Sequence, residues 1–316
     1  MSTPVISIAL ALFTALAGAD WSPNAFDYNR PPRLKVQEVE KSGGIKVARA
    51  TQQHLVFRNV AGQEVPALLT LPRGRAPFPV VVLVHGYASS GEHITHYLAP
   101  ELVGRGFATL AIDLPMHGER PGPPKSLFAE GDPKKTHRQL AQAVIDLRQA
   151  IDLAESRKEL DTSGGVFLVG YSMGSWLATL TSAADRRVSA LVLMSPVSEA
   201  VPADARGRRQ ERSPQKPLLE RFPDLRPTEA IARFAPRPVL IQAGNLDLYL
   251  PKEPVDALFA AAREPKELRW YDSSHILPPL AVEEATNWLL QQRGRQAGKS
   301  SRGSGQAQRD GQPARR

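Results

Sequence analysis

A serine between two glycines, in the pentapeptide Gly-Tyr-Ser-Met-Gly at 170–174, is the residue best placed to act as a nucleophile. An apolar run, 166–169, precedes it and a helix-forming run, 175–180, follows it, which places Ser172 between a predicted strand and a predicted helix. A serine in so sharp a turn crowds the residues two positions away, and glycine tolerates that crowding. The turn also places the backbone N–H of Met173 at a helix start, where it can stabilise an oxyanion.

A nucleophilic serine needs a base within hydrogen-bond reach and a carboxylate that holds the base in its working tautomer. His275 follows the last predicted strand, 267–272, and Asp247 follows the strand before it, 238–244. Open α/β sheets build their sites at the edge where the carboxyl ends of the strands meet. The chain order serine, aspartate, histidine also differs from that of the chymotrypsin and subtilisin folds. We therefore predict a catalytic triad of Ser172, Asp247 and His275.

Three other aspartates compete for the acid role, but each is predicted to lie elsewhere. Asp272 is predicted to lie on the last strand, Asp224 in an irregular connection, and Asp113 too early in the chain order. Of the seven histidines in the sequence, only His275 follows the last strand. His275 and Asp247 therefore remain the predicted base and acid.

The apolar run 78–84 is predicted to form a central parallel strand, buried on both faces, and it ends in His85-Gly86. In α/β-hydrolases, which this arrangement of serine, aspartate and histidine resembles, the loop after such a strand supplies the second oxyanion donor. We assign that donor to the backbone N–H of Tyr87, with Ala88 as the alternative. His85 is interpreted as a structural histidine that bonds the loop backbone.

No metal site and no cofactor are predicted. The histidines at positions 85, 93 and 96 match no standard zinc spacing, and the chain contains no cysteine to accompany them. The lack of cysteine also excludes disulfides and thiolate chemistry.

Strands and helices are predicted to alternate along most of the chain. After the serine, apolar runs at 188–194 and 238–244 predict two further strands. Helices are predicted at 93–105, 133–158, 251–263 and 279–293. This alternation is typical of a parallel sheet with helices on both faces, in one large α/β domain.

Residues 45–292 resemble the α/β-hydrolase superfamily. The resemblance is carried by the serine pentapeptide, the His85-Gly86 loop, the segment Asp-Leu-Pro-Met-His-Gly at 113–118, and the pair Asp247 and His275. Segment 47–71 further resembles the paired first strands of the dienelactone hydrolase and acetyl-xylan-esterase-like branch. The resemblance implies an α/β-hydrolase fold: a mostly parallel central sheet with helices on both faces, an antiparallel N-terminal strand pair, and at most a short cap.

The resemblance also implies hydrolysis of small-molecule carboxylic esters through an acyl-serine intermediate. Dienelactone hydrolase proper uses a cysteine nucleophile, and because this chain has none, the lactone activity is not carried over. One alternative is a serine peptidase or amidase related to prolyl oligopeptidase, a group that normally carries a large propeller domain for which this chain has no room. A second is a non-catalytic interaction protein on a hydrolase scaffold, which is disfavoured because every triad position is filled.

Two insertions, 118–132 and 197–227, are predicted to shape the substrate pocket. Tyr87, Met116 and Trp176 are predicted to contact the substrate, although aromatic and methionine side chains at such positions are as often plain core. The second insertion carries basic residues that could favour acidic substrates, but we interpret it as a solvated loop. These basic residues are Arg206, Arg208, Arg209, Arg212 and Lys216.

The composition divides the chain into four parts. Residues 1–19 predict a cleaved signal peptide: an apolar run, too short to span a bilayer, ends in small residues, although no Lys or Arg precedes it. The alternatives are an amphiphilic N-terminal helix or a start codon assigned too far upstream. An N-terminal extension follows at 20–44, then the hydrolase domain at 45–293 and a disordered basic tail at 294–316.

The net charge of +8 would suit a nucleic-acid partner, but more than half of it lies in the tail after residue 293. We therefore predict a small-molecule ester substrate and no nucleic-acid partner. Export to the periplasm or the medium is predicted, with the cytoplasm as the alternative, and no stable membrane insertion is expected after processing. The sequence leaves the oligomeric state open.

Overall fold

The computed structural model of the protein describes residues 21–41, 43–44, 46–198 and 215–307. The predicted signal peptide, the arginines at 206–212 and the last residues of the predicted tail, 308–316, lie outside these ranges. Among the helices of the described ranges, none combines the length and the hydropathy that a bilayer span requires.

A sheet of ten strands forms the centre of the described structure. The strands are β1 (Val36–Val39), β2 (Ala50–Arg58), β3 (Glu64–Pro72), β4 (Phe78–Val84), β5 (Ala108–Ile112), β6 (Leu160–Asp161), β7 (Val166–Tyr171), β8 (Val188–Met194), β9 (Val239–Gly244) and β10 (Lys266–Tyr271). Their spatial order is β1-β2-β3-β5-β4-β7-β8-β9-β10, with the short β6 beside β4. The pairs β1–β2, β2–β3 and β3–β5 are antiparallel, and the remaining pairs are parallel. This mixed sheet confirms the predicted fold class.

Helices connect the parallel strands and cover both faces of the sheet. They are α1 (Gly91–Gly104), α2 (Pro133–Ser156), α3 (Met173–Ala184), α4 (Gln215–Arg221), α5 (Pro227–Ile231), α6 (Lys252–Ala261) and α7 (Pro279–Ala307). Local chemistry explains where they begin. The Ser90 hydroxyl accepts the N–H of His93 at the start of α1, and the Asp132 carboxylate accepts the N–H of Lys135 at the start of α2.

The central strands are apolar on both faces because a separate core packs on each side. Val80, Val82 and Val84 of β4 point into a core that includes α2 and α3. Val81 and Leu83 point into the opposite core, which includes α1 and α7. A strand buried on both faces reads as a continuous apolar run, which is why β4, β7, β8 and β9 could be predicted from the sequence.

The N-terminal segment belongs to the same core as the sheet, whereas the sequence placed a boundary at residue 45. Trp21, Phe26 and Leu34 are buried in the core that includes α2 and α3. Strand β1 pairs with β2, which makes the antiparallel part three strands instead of the predicted pair. β1 is mostly exposed and therefore has no apolar periodicity by which it could be recognised.

The last helix is longer than predicted. α7 begins at Pro279, as expected, and extends to Ala307, past the expected end at Arg293. Residues 294–307, which the sequence assigned to the basic tail, are therefore helical in the structure. The segment is rich in Gly, Ser and Gln, a composition that does not predict a helix. It is helical here as the continuation of a helix that begins at Pro279.

Candidate active site

Ser172 lies in the turn between β7 and α3 with a strained backbone, at φ 54° and ψ −123°. Two glycines make this turn sterically possible. A Cβ on Gly174 would lie 2.1 Å from the carbonyl oxygen of Val84, and a Cβ on Gly170 would lie 2.4 Å from the oxygen of Gly174. Backbone strain in a non-glycine residue persists only where the surroundings enforce it, and here the surroundings hold a hydroxyl above the sheet edge.

The structure brings the three predicted triad residues together. The Nε2 atom of His275 lies 3.0 Å from the Oγ of Ser172, and its Nδ1 lies 2.7 Å from the Oδ2 of Asp247. These distances fit a hydroxyl that can give its proton to Nε2 and an Nδ1–H that donates to a carboxylate. The arrangement can therefore produce an alkoxide-like nucleophile.

Asp247 is held by the backbone of its own loop. Its Oδ1 accepts the N–H groups of Tyr249 at 2.9 Å and Leu250 at 3.0 Å, while Oδ2 faces the histidine. The carboxylate is almost fully buried. These hydrogen bonds fix its orientation before any substrate arrives.

The backbone of His275 is also fixed, by two hydroxyls that the sequence pattern does not predict. Its carbonyl oxygen accepts the Tyr171 hydroxyl at 2.6 Å and the Ser195 hydroxyl at 2.8 Å. The Tyr171 ring packs edge-on against the His275 imidazole, with centroids 5.9 Å apart. Burial raises the pKa of Tyr171, which keeps its hydroxyl a proton donor. Tyr171 and Ser195 therefore help to place the imidazole over Ser172.

Two backbone segments meet at Ser172 where an oxyanion would form. Met173 is the first residue of α3 and its N–H therefore has no acceptor inside the helix. Gly86 lies so close that a Cβ there would stand 3.2 Å from the Cβ of Ser172. Tyr87 follows directly, which puts both predicted oxyanion donors, Met173 and Tyr87, on segments that border the serine.

A model described as the alpha/beta hydrolase family matches residues 81–303 of the sequence, most of the chain. The chain belongs to the alpha/beta hydrolase family. No curated protein matches the sequence.

Solved structures with the same fold include several esterases. Acetyl xylan esterase 1 from a Thermoanaerobacterium species superposes with a TM-score of 0.66 at 19% identity, covering 85% of this chain and 91% of that one. The acetyl xylan esterase from Paenibacillus sp. R4 gives 0.63 at 20% identity, covering 84% and 90%. Est1E from Butyrivibrio proteoclasticus, solved with ferulic acid, gives 0.60 at 19% identity, covering 75% and 98%. These likenesses establish the shared fold.

In this hydrolase His85 acts structurally. Its Nε2 accepts the N–H of Leu114 at 3.0 Å, which places the proton on Nδ1, 2.8 Å from the carbonyl oxygen of Gly86. Burial lowers the pKa of His85 to about 3, because a charged imidazole would lose its hydration. The neutral ring joins the loop after β4 to the loop after β5.

Asp113 also connects the segment after β4 with the loop after β5. Its two carboxylate oxygens accept the N–H groups of Gly91 and Glu119, each at 2.8 Å. Burial raises the pKa of this carboxyl, although both N–H donors act to lower it. Gly118 leaves room for the carboxylate, since a Cβ there would lie 2.1 Å from the Cγ of Asp113. Asp113 is therefore a loop anchor, away from the triad.

The three residues predicted to contact substrate lie in different environments. Tyr87 is half exposed, and its ring packs against His117 and Phe128. Met116 is partly buried, with its sulfur accepting the side-chain amide of Gln139. Trp176 is buried in the core, and its indole N–H donates to the carbonyl of Leu225 at 2.7 Å. Trp176 therefore faces the core from α3, and its contact with the substrate stays a prediction.

The rival residues have other partners. Asp224 binds His137, with an oxygen–nitrogen distance of 2.6 Å, and Asp272 is exposed after the end of β10. Within the described residues, no group of three or more histidines and acidic residues is arranged to hold a metal ion.

A separate cavity of about 210 Å³ lies beside α1 and is not lined by triad residues. Its charged groups are paired: Lys41 bridges Glu92 at 3.1 Å and Glu119 at 2.6 Å. These ion pairs tie the N-terminal segment to α1 and to the loop after β5.

Proposed function

We propose that the protein is a serine hydrolase that cleaves carboxylic esters through an acyl-serine intermediate. The observation that carries the proposal is the 3.0 Å contact between Nε2 of His275 and Oγ of Ser172, with Asp247 on the other ring nitrogen. The esterases that share this fold support the choice of ester chemistry.

The reaction follows from the positions of the three side chains. His275 takes the Ser172 proton as the hydroxyl attacks the ester carbonyl, and Asp247 stabilises the imidazolium. The backbone N–H groups of Met173 and Tyr87 are proposed to bind the oxyanion, each contributing about 10²–10³ in rate. His275 then protonates the leaving alcohol, and it later activates the water that hydrolyses the acyl-serine.

The Ser172→Ala variant tests this proposal. Removal of the nucleophile should lower kcat for p-nitrophenyl acetate by about 10⁴–10⁶-fold and abolish labelling by a fluorophosphonate. The matched control is Ser163→Ala, which removes an exposed hydroxyl bonded to Asp161 and should change neither readout.

The outcomes separate the function classes. Full turnover by Ser172→Ala would contradict the nucleophile, and a wild-type protein that resists the fluorophosphonate would favour a non-catalytic scaffold. Faster cleavage of aminoacyl amides than of esters would favour the peptidase alternative.

A further inference from the structure

Exposed apolar side chains concentrate on the two loops that hold Asp247 and His275. Five of the eight large hydrophobic residues exposed in the described part of the chain lie there: Leu246, Leu248, Tyr249, Ile276 and Leu280. Leu248 is 74% exposed and Ile276 is 71% exposed. Single exposed hydrophobic residues are ordinary, but a cluster beside a reactive group indicates a binding surface. We call Leu248, Tyr249 and Ile276 the apolar rim.

The apolar rim carries no free charge. In the loops 245–251 and 273–280 the only acidic residue is Asp247, which is bonded to His275. Two charged residues border these loops along the chain: Lys252, which is paired with Asp256 at 2.6 Å, and Asp272, which is exposed between β10 and the second loop. An anionic ligand group would lose hydration on this surface without gaining a partner, and the side chains of the rim itself offer none to a cation. The rim therefore suits a neutral, apolar ligand.

The position of the rim tells which half of an ester it would contact. His275 must protonate the leaving oxygen, and the first carbon of the alcohol therefore lies next to the imidazole. The Tyr249 ring stands edge-on to that imidazole with centroids 5.5 Å apart, and Ile276 is the next residue in the chain. The acyl group leaves the carbonyl carbon in another direction, away from the leaving oxygen.

We propose that the apolar rim binds the alcohol group of the substrate, and that the substrates are esters of neutral, apolar alcohols. The inference rests on the ester hydrolysis proposed above. Each methylene of the alcohol that reaches the rim covers apolar surface on Leu248, Tyr249 or Ile276. Full burial of a methylene corresponds to about fourfold in binding, and we expect between twofold and fourfold on this open surface.

Two ester series measured on the wild-type protein test the proposal directly. The first is methyl, butyl and hexyl acetate, and the second is methyl acetate, pentanoate and heptanoate, all kept below their solubility limits and followed by acid release. kcat/KM reports the steps up to alcohol release, and it should rise by about two- to fourfold per methylene in the alcohol series. Along the acyl series, the logarithm of kcat/KM should increase per methylene by no more than half as much as along the alcohol series.

Variants then assign the effect to the rim. In the double variant Leu248→Ser/Ile276→Ser the ratio of kcat/KM for hexyl acetate to that for methyl acetate should fall by about tenfold. The control Val60→Ser removes a hydrophobic side chain of 44% exposure far along the chain, and should leave the ratio unchanged.

A flat alcohol series in the wild type, or an unchanged ratio in the double variant, would overturn the rim proposal while hydrolysis still depended on Ser172. Survival of hydrolysis in Ser172→Ala would instead overturn the proposed function. The wild-type series needs no substituted protein, and the test therefore stands even if the double variant does not fold.

Discussion

At the scale of single residues, the imidazole of His275 depends on hydroxyls outside the triad. Tyr171 and Ser195 donate to its carbonyl oxygen at 2.6 and 2.8 Å, and Ser195 does so from a left-handed backbone position, φ 44°. Tyr97 adds a third hydroxyl on the carbonyl of Leu277 at 2.9 Å. The imidazole is therefore positioned through the main chain of its own residue as well as through Asp247.

The Tyr171→Phe substitution should lower kcat for a short ester by about two- to tenfold, with KM nearly unchanged. This range corresponds to ~0.5–1.5 kcal/mol, the contribution of one neutral hydrogen bond. Adding Ser195→Ala should cost more than the sum of the two single changes, because the carbonyl would then lose both donors. Steady-state kinetics on the four proteins of this cycle measure the coupling.

The control for this cycle is Tyr28→Phe. It removes a tyrosine hydroxyl bonded to Asp152 at 2.6 Å, remote from the triad, and should leave kcat and KM unchanged. A Tyr171→Phe protein that changed the unfolding free energy but not kcat would show that the hydroxyl only stabilises the fold.

The triad was predictable and its supporting residues were not, for a physical reason. Ser172, Asp247 and His275 each follow a strand, and strand ends meet at one sheet edge whatever the details of packing. Ser195 also follows a strand, but its role depends on one contact with a backbone carbonyl far along the chain. The face of α3 on which Trp176 lies was likewise not predictable, because proximity in sequence to Ser172 does not determine the direction of its side chain.

At the scale of elements, the turn between β7 and α3 is fixed by how closely α3 approaches the loop after β4. Gly174 is the contact point: its missing Cβ would meet the carbonyl oxygens of Val84 at 2.1 Å and His85 at 2.5 Å. Both obstacles are backbone, which cannot rotate away as a side chain can. The close approach requires a residue without a Cβ, and the sequence has a glycine there. The turn could therefore be predicted.

The Gly174→Ala variant should lose about 3 kcal/mol of unfolding free energy, at the upper end for an overpacked site. The displaced start of α3 should also slow fluorophosphonate labelling of Ser172. Urea unfolding and labelling rates measure the two effects. A protein with native stability and a native labelling rate would contradict the close approach.

Gly294→Ala is the matched control on α7. That glycine is exposed and nothing lies within 4 Å of its Cβ position, whereas Gly174 is enclosed. Alanine there should raise the unfolding free energy by about 0.5–1 kcal/mol, because glycine is a poor helix former.

At the scale of the whole molecule, the N-terminal segment joins parts of the hydrolase that are distant in sequence. The indole N–H of Trp21 donates to the carbonyl of Asp224 at 2.8 Å, and the Tyr28 hydroxyl donates to Asp152 on α2. Arg30 pairs with Asp152 at 3.2 Å and with Glu155 at 2.6 Å. Sequence patterns cannot reveal such a role, because the segment has little regular structure and its partners are set by tertiary packing.

Phe26 anchors this segment, and its loss should therefore destabilise the entire fold without touching the chemistry. The side chain is fully buried against α2 and α3, and Arg148 of α2 donates to its carbonyl. Phe26→Ala should lower the unfolding free energy by about 3–5 kcal/mol, the cost of an unfilled aromatic site, while kcat of the folded fraction stays at the wild-type value. Urea unfolding and active-site titration measure the two quantities.

The control is Val60→Ala, at a half-exposed position, which should change the unfolding free energy by no more than about 0.5 kcal/mol. If Phe26→Ala were equally mild, residues 21–34 would be a dispensable extension and the hydrolase core would begin where the sequence pattern first placed it.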